Sequence, residues 1–290
     1  MRTVLIDGDS IAYMAGWSPT LKDVGVAIDR LMTNILADTE ADNYEMYIEV
    51  WEVKKTNFRM ELATTKPYKG TRKKAQKPEF LNESREILRD SWNANLVNGM
   101  ESEDKVLIRQ GQIGYDKSII AHIDKDLDQS PGFHYNYNHR EKYTITPQEA
   151  HKKLWAQVLT GDSVDNIPGV KGWGKVKAET LVESTPLEDI PVAVARVYAQ
   201  KGYHYGYLLE QGGLVYLLRS NNDRFNPVVT YEEYEQLLKE EDYLAKKESR
   251  KKARPNTQPT RVRPKHTLQE SWEEEKGNPE DGGNAGYTLP

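Results

Sequence analysis

One stretch of the chain, residues 159–175, combines two kinds of residue that could do chemistry together. Its first part holds Asp162 and Asp165, and carboxylate oxygens are the ligands that hard divalent cations prefer. Its second part is a turn with glycine at Gly169, Gly172 and Gly174. Glycines let a backbone approach a ligand closely, and the amides at the start of a helix near Lys175 could bind a phosphate without reading sequence. A cation site beside a phosphate site predicts chemistry on a phosphate ester.

Further carboxylates follow predicted strands or begin a predicted helix. They are Asp7, Glu52, Glu101, Glu103, Asp104, Asp124 and Asp126. In an open α/β sheet, ligands bind at the carboxyl ends of the strands, so we expect these side chains to converge there with Asp162 and Asp165. Any single acidic pair is more simply explained as a helix cap or a turn. So many acids at one edge would repel one another without cations, and oxygen ligands select Mg²⁺ or Mn²⁺.

The apolar pattern predicts α/β structure in the first half and helices in the second. Strands are expected at 2–6, 46–53 and 117–123, with a hairpin over 133–146. Helices are expected at 20–38, 79–95, 101–108, 146–159, 186–200 and 231–247. A threonine followed three residues later by glutamate opens each of the last three, which is the pattern of a capping box. The sheet would therefore position most of the acids, and the helices would position the glycine turn.

These elements divide the chain into three parts. Residues 1–145 are expected to form an α/β domain with a basic arch at 54–95, residues 146–247 a helical region, and residues 248–290 a disordered charged tail. Within the arch, residues 66–77 hold six basic residues and no acid, which suits a phosphate or a single strand and equally a solvated loop. The tail could contact DNA or a replication protein, although a solvated tail is the simpler interpretation.

Composition restricts the possible sites. The absence of cysteine excludes disulfides and cysteine-ligated zinc or iron–sulfur sites, and it fits a cytoplasmic protein. No apolar run is long enough for a signal peptide or a membrane span. The six histidines lack H-x-x-x-H and H-E-x-x-H spacing, and His122 is expected to point away from Asp124. The net charge of -5 does not exclude a nucleic-acid ligand, because acids that bind cations are partly neutralised in use.

In this order, the motifs resemble those of the 5′ nuclease superfamily, which comprises flap endonucleases, the 5′-nuclease domain of bacterial DNA polymerase I and phage 5′–3′ exonucleases. The resemblance covers roughly residues 3–220 and is carried by Val4–Gly8, Asn57–Leu62, Tyr68–Arg72, Glu101–Asp104, Asp124–Leu127 and Gly161–Gly174. It implies a PIN-like α/β domain with a central, mainly parallel sheet. A helical region would follow, with a helix–three-turn–helix element that grips duplex DNA.

The resemblance also implies roles for individual residues. Two Mg²⁺ or Mn²⁺ ions would be held by Asp7, Glu52, Glu101, Glu103, Asp104, Asp124, Asp126, Asp162 and Asp165. Lys69 and Arg72 would act in catalysis, at the scissile phosphate. Contacts with DNA would come from Arg59, Tyr68, Lys73, Lys74, Gly169, Val170, Gly172, Trp173, Gly174 and Lys175. A K⁺ ion could join the helix–three-turn–helix to a phosphate.

The implied function is that of a monomeric 5′–3′ exonuclease or flap endonuclease. It would act on duplex or flap DNA with a free 5′ end, and also on the RNA strand of an RNA–DNA hybrid. Two positions depart from the family pattern, because Glu52 and Glu103 stand where aspartate is usual. We expect these changes to shift the metal geometry and not to abolish activity. The alternatives are a nuclease of the same fold acting on RNA and a non-catalytic DNA-binding scaffold, although a scaffold has no need for the paired acids.

Overall fold

The computed structural model describes residues 2–41, 43–53, 56–71 and 76–253. Its strands are β1 (Thr3–Asp7), β2 (Asn43–Glu49), β3 (Asn95–Val97), β4 (Ser118–His122), β5 (Gly132–Asn136) and β6 (Glu141–Ile145). Its α-helices are α1 (Gly8–Ala15), α2 (Leu21–Thr39), α3 (Phe58–Leu62), α4 (Leu81–Trp92), α5 (Ser102–Ile113), α6 (Pro147–Thr160), α7 (Lys175–Ser184), α8 (Ile190–Gln200), α9 (Tyr205–Val215) and α10 (Tyr231–Ala253). Short 3₁₀ helices lie at Lys125–Gln129 and Leu187–Asp189. The expected order, α/β first and helical afterwards, is confirmed.

The strands form one 6-stranded sheet in the order β3-β2-β1-β4-β5-β6. All neighbouring pairs are parallel except β5 and β6, which form the expected antiparallel hairpin. Asp7 pairs with Tyr47 on one side, while Ile6 pairs with Ala121 on the other. The carboxyl ends of β1, β2 and β4 therefore meet at one edge of the sheet, where the acids were expected.

The sheet is covered on both faces, which explains why its central strands are apolar throughout. On one face, Ile6 and Met46 pack with residues of α1, α2 and α4, such as Ile28. On the other face, Leu5 and Ile120 pack with α5. Placing the sheet between these helices fixes the edge that carries the acids.

A third apolar cluster joins the helical region to the N-terminal half. Its members come mainly from α6 to α10, and it also takes in Tyr68 of the arch and Ile108 of α5. The arch is tied to the same region by hydrogen bonds, because the Glu210 carboxylate on α9 accepts from the backbone and hydroxyl groups of Thr64 and Thr65 at 2.6 to 2.8 Å. The start of the arch is thus anchored to the helices.

Helix starts follow the capping signals that the sequence carries. Thr146 and Glu149 cap α6 reciprocally, with proline at its first turn. Thr230 and Glu233 make the same exchange at the start of α10. The helix expected at 186–200 instead begins at Ile190, after a 3₁₀ turn.

Several elements differ from the expectation. Strand β2 ends at Glu49 and not near Glu52. Helices α3 and α9 and the short strand β3 were not expected. The expected contacts of Arg72, Lys73 and Lys74 fall outside the described residues, as does nearly all of the tail expected at 248–290. Within the part of the chain that the structure describes, no helix is long and apolar enough to cross a membrane.

Candidate active site

Asp7 lies at the centre of the acidic edge. It ends β1, is fully buried, and caps α1 by accepting from the Asp9 amide at 3.2 Å. The Ser102 hydroxyl also donates to it at 3.1 Å, which brings the start of α5 against β1. Burial and the charge of Asp9 raise the pKa of Asp7 to about 7. Burial together with the charges of Asp7 and Glu101 raises the pKa of Glu103 well above its ordinary value. These acids therefore share one poorly compensated region of negative charge.

A second group of acids follows β4. Asp124 caps the 3₁₀ helix Lys125–Gln129 by accepting from the Asp126 amide at 2.8 Å. Burial, the charge of Asp124 and the charge of Asp162 raise the pKa of Asp126 to about 6. Its Oδ1 atom is buried and has no hydrogen-bond partner among the described residues. Because Asp124 also raises the pKa of Asp7, the acids after β1 and β4 lie together.

The connection between α6 and α7 supplies two more acids. Asp162 follows the end of α6 and accepts from the Val164 amide at 2.7 Å and the Asp165 amide at 3.3 Å. An isolated bridge pairs Asp162 with Ile167 and closes the loop. Since the charge of Asp162 affects the pKa of Asp126, this loop faces the acids of the sheet.

Tyr68 and Lys69 join this loop to α5. The Tyr68 hydroxyl lies 2.9 Å from a carboxylate oxygen of Glu101 and 2.9 Å from one of Asp165. The Lys69 ammonium forms an ion pair with Glu101 and lies 3.8 Å from Asp165. Burial would raise the pKa of Glu101, but the cations of Lys69 and Arg59 hold it at about 2. Tyr68 is only 8% exposed, so the expectation that its ring contacts DNA is wrong: its hydroxyl lies between two carboxylates and can donate its hydrogen to one of them.

The acids present suit hard divalent cations. Every candidate metal ligand is a carboxylate oxygen, and Asp126 Oδ1 is a buried oxygen without a hydrogen-bond partner among the described residues. Burial, followed by the charges of neighbouring acids, raises the pKa values of Asp7 and Asp126. Among the described residues, the only three side chains with ligand atoms all within 4.8 Å of one another are His122, Asp128 and His134. No three of the acids in the described residues therefore have oxygen atoms all within 4.8 Å of one another.

Glu52 does not join these acids, and the expectation that it is a metal ligand is wrong. Its side chain is 58% exposed and pairs with Arg89 at 3.0 Å. The carboxylate at the end of β2 is Glu49, which is 6% exposed. Since Tyr47 pairs with Asp7 and side chains alternate along a strand, Glu49 lies on the same face of the sheet as Asp7. Glu49 was not expected to be a ligand, because the alternation of side chains predicted a strand that continues to about residue 52.

Asp104 and Arg59 form a buried ion pair, so the expected roles of both are wrong. The guanidinium donates to the two carboxylate oxygens of Asp104 at 2.6 and 2.9 Å and to the carbonyls of Leu214 and Tyr216 at 3.0 and 2.6 Å. Asp104 also accepts from the Leu218 amide at 2.9 Å. Arg59 is 1% exposed and Asp104 is 0% exposed. Arg59 is therefore closed to DNA, and the oxygens of Asp104 are already satisfied without an ion.

The glycine turn has a buried half and an exposed half. Gly169 adopts a φ of 58°, and an added Cβ would lie 2.4 Å from the Gly161 amide nitrogen. Its own amide donates to Gln211, while the Val170 amide donates to the Leu159 carbonyl. Because these two residues are buried with their amides occupied, the expectation that they contact DNA is wrong.

The exposed half of the turn is open to a ligand. Gly172, Gly174 and Lys175 are exposed, and a Cβ at either glycine would meet nothing within 4 Å. Gly174 precedes α7 without a capping side chain, so the first amides of that helix remain available to an anion. Trp173 is half-buried, and the Lys177 ammonium lies 4.2 Å from the centre of its ring.

Comparison with known proteins relates the chain to bacterial DNA polymerase I. Over 233 residues it is 28% identical to DNA polymerase I of Bacillus caldotenax, and over 203 residues it is 30% identical to the thermostable DNA polymerase I of Thermus aquaticus. These matches cover 69% and 63% of the chain, and the chain spans only about a quarter of the length of these curated relatives, 25% and 24%. No protein-family model matches the chain.

Solved structures with the same fold come from bacteriophage T5. The T5 D15 protein co-crystallised with metal ions superposes with a TM-score of 0.57 at 17% identity, covering 84% of this chain and 100% of that one. A variant D15 flap endonuclease, in a pseudo-enzyme–product complex with DNA and metal ions, gives a TM-score of 0.58 at 16% identity over 85% of this chain and 100% of that one. The α/β fold implied by the motifs is thereby confirmed, and the DNA polymerase I relatives support the resemblance to the 5′ nuclease superfamily.

Proposed function

We propose that the chain is a divalent-metal-dependent 5′ nuclease that hydrolyses DNA phosphodiester bonds near a free 5′ end. It would act as a 5′–3′ exonuclease and 5′ flap endonuclease, and would accept the RNA strand of an RNA–DNA hybrid. The observation that carries the proposal is the convergence of buried acids from β1, α5, the turn after β4 and the α6–α7 connection, beside Lys69. The D15 flap endonuclease, a neighbour in fold, was crystallised with DNA and metal ions, which supports the same substrate and cofactor here.

Two Mg²⁺ or Mn²⁺ ions would be held by Asp7, Glu49, Glu101, Glu103, Asp124, Asp126, Asp162 and Asp165. Bound ions would neutralise charge on the scissile phosphate and lower the pKa of a water molecule that attacks it. The chain's own contribution is to hold the acids in place. Tyr68 links Glu101 to Asp165, and the hydroxyl of Ser102 fixes Asp7.

Lys69 would donate to an oxygen of the reacting phosphate. Its side chain is 20% exposed, and its ammonium lies between Glu101 and Asp165. Its backbone takes a φ of 54°, uncommon for lysine, and is held by a hydrogen bond from its amide to the Asp165 carbonyl at 2.9 Å. A cation held this firmly can stabilise the charge that develops on the phosphate without first reorganising. Arg72, which falls outside the described residues, would share this role.

The exposed half of the glycine turn would hold the duplex. Gly172, Gly174, Lys175 and the free amides of α7 would bind a backbone phosphate, with a K⁺ ion as a possible bridge. Trp173 with Lys177, and the basic residues Lys73 and Lys74 of the arch, would extend the contact. Contacts of this kind bind phosphates and not base edges, so binding should show little sequence preference and should weaken steeply with salt.

One experiment tests the proposal with four labelled substrates: a linear duplex, a 5′ flap, an RNA–DNA hybrid and a covalently closed circle, each with Mg²⁺ and with EDTA. We expect magnesium-dependent cleavage of the substrates that have a 5′ end. Failure to cleave any substrate would refute the enzyme proposal and leave the DNA-binding scaffold. Efficient cutting of the closed circle would refute dependence on a 5′ end.

Variants of the arch test the role given to Lys69. Lys69→Ala should slow cleavage by at least about a hundredfold, the usual effect of losing a group that stabilises developing charge. Lys66→Ala is the matched control, because Lys66 is exposed on the same segment. If both substitutions have an equally small effect on the cleavage rate, residues 66–77 are a solvated loop and Lys69 has no role in catalysis.

A further inference from the structure

A second group of ligand-type side chains, which includes two histidines, lies on the face of the sheet that carries α5. His122 ends β4, and His134 lies on β5 beside it, with Tyr143 paired to His134 from β6. Asp128 reaches them from the 3₁₀ helix Lys125–Gln129. Both histidines are 1% exposed, and the Asp128 side chain is 26% exposed. Nothing in the proposed nuclease reaction uses this group.

Backbone carbonyls fix the tautomer of each imidazole. His122 Nδ1 lies 2.6 Å from the Asp124 carbonyl, and His134 Nε2 lies 2.9 Å from the Ser130 carbonyl. A carbonyl oxygen can only accept, so each of these ring nitrogens must carry the hydrogen. In the neutral rings the other two nitrogens, His122 Nε2 and His134 Nδ1, are then unprotonated.

These two unprotonated nitrogens face each other at 2.9 Å. The Tyr143 hydroxyl lies 3.1 Å from His122 Nε2 and 2.9 Å from Asp128 Oδ1, but its single hydrogen can serve only one of them. Two lone pairs and a carboxylate oxygen therefore converge on a point that lacks a positive charge.

We propose that His122, His134 and Asp128 bind a transition-metal ion of the zinc class, at a site separate from the acids. Two imidazoles and one carboxylate form a common donor set for zinc, with metal–ligand distances of about 2.0 to 2.2 Å that put neighbouring ligand atoms about 3.3 Å apart. The facing nitrogens are 2.9 Å apart and His122 Nε2 lies 4.0 Å from Asp128 Oδ1, so each of these two pairs is within an ångström of the separation that zinc needs, and all three ligand atoms lie within 4.8 Å of one another. The Tyr143 hydroxyl or a water molecule would supply the fourth ligand.

The surroundings match those of metal-bound histidines in general, which donate their second ring hydrogen to a backbone carbonyl or a carboxylate. Both histidines do so, and one of the acceptors is the carbonyl of Asp124, a residue of the acidic site. An ion here would tie β4 and β5 to the 3₁₀ helix that carries Asp126 and Asp128. Its role is structural: it would hold the turn from which two of the acids project.

Zinc binding to the full chain, measured by competition with a chromogenic chelator in excess Mg²⁺, tests the proposal. We expect the wild type and His139→Gln to bind one Zn²⁺, because His139 is an exposed histidine in the turn of the same hairpin. Asp128→Asn keeps an oxygen for the Tyr143 hydroxyl and should still fold, but it should lose at least about tenfold in zinc affinity. His134→Gln should lose the site.

Cobalt spectra give a second readout that does not depend on nuclease activity. Co²⁺ bound by two imidazoles in a site of low coordination number absorbs visible light strongly, whereas Co²⁺ among carboxylates and water absorbs weakly. We expect the strong bands in the wild type and in His139→Gln and their loss in His134→Gln. Equal zinc affinity in the wild type and Asp128→Asn, or no zinc bound by the wild type in excess Mg²⁺, overturns the proposal.

Discussion

Replacing Asp126 by asparagine should stabilise the metal-free protein while removing the proposed activity. Burial and the charge of Asp124 raise the pKa of Asp126 from 3.8 to about 6, and its Oδ1 atom has no partner among the described residues. Asparagine has nearly the same shape and carries no charge. The substitution therefore removes the cost of ionising a buried carboxyl group.

The magnitude follows from the pKa. Because the folded protein holds this proton more tightly than the unfolded chain, the stabilisation is complete below about pH 4 and is lost as the pH rises to about 6. A pKa raised from 3.8 to about 6 corresponds to about 3 kcal/mol, an upper limit because the group is partly accessible to solvent. We expect Asp126→Asn to increase the free energy of unfolding by about 1 to 3 kcal/mol at pH 8 in EDTA, and by much less at pH 4.

Urea unfolding followed by tryptophan fluorescence provides the assay, at pH 4 and pH 8, in EDTA and then in Mg²⁺. Asp116→Asn is the control, because Asp116 is exposed. Mg²⁺ should stabilise the wild type more than Asp126→Asn, since the variant has lost one ligand. A variant no more stable than the wild type at pH 8 in EDTA would refute the reasoning. An equal gain at both pH values would show that charge is not the cause.

Three further substitutions separate structural from reactive roles. Arg59→Met should lower the free energy of unfolding by about 3 to 5 kcal/mol, because it leaves a buried carboxylate unpaired, whereas Arg89→Met on the surface should change urea unfolding little. Glu49→Gln should reduce magnesium-dependent cleavage by at least about tenfold and Glu52→Gln should not, as measured by initial rates at saturating substrate. Tyr68→Phe should lower kcat with little change in DNA affinity, and a weaker Kd with unchanged kcat would restore its role as a DNA contact.

Patterns of neighbouring residues in the sequence predicted the features that depend on short-range interactions, namely helix starts and a buried strand. Capping residues such as Thr146 marked helix starts, and an uninterrupted apolar run at Val4 to Ile6 marked a strand buried on both faces. Asp7 and Asp124 follow β1 and β4 as expected, and the carboxyl ends of these parallel strands meet at one edge of the sheet.

Positions that depend on distant partners could not be predicted in this way. The alternation of residues 46–53 continues past the end of β2, so it could not distinguish Glu49 from Glu52; the register with β1 does. The sequence motif identifies Arg59 but does not show where its side chain points. The side chain is buried because it binds Asp104 and the carbonyls of Leu214 and Tyr216, which lie far along the chain.

Helix α9 was missed because its glycines disfavour a helix when considered alone. Packing explains them: a Cβ at Gly212 would lie 2.1 Å from the Phe225 ring, and one at Gly213 would lie 2.6 Å from Leu62. The pairing of His122 with His134 was equally hidden, because it arises between two strands and not along one. In each case the deciding contact lies between elements.

The hydrogen bonds that hold the start of the arch have a consequence for where a strand would be cut. Thr64 and Thr65 are bound to Glu210, and the Lys69 amide is bound to the Asp165 carbonyl, so this segment is held both by α9 and by the loop that precedes the glycine turn. We therefore expect the distance between Lys69 and Lys175 to be the same in the free protein and in the protein bound to DNA. If the proposed function is correct, nucleic acids of different shape should be cut at different rates. The distance from the end of the duplex to the cut should be the same for all of them.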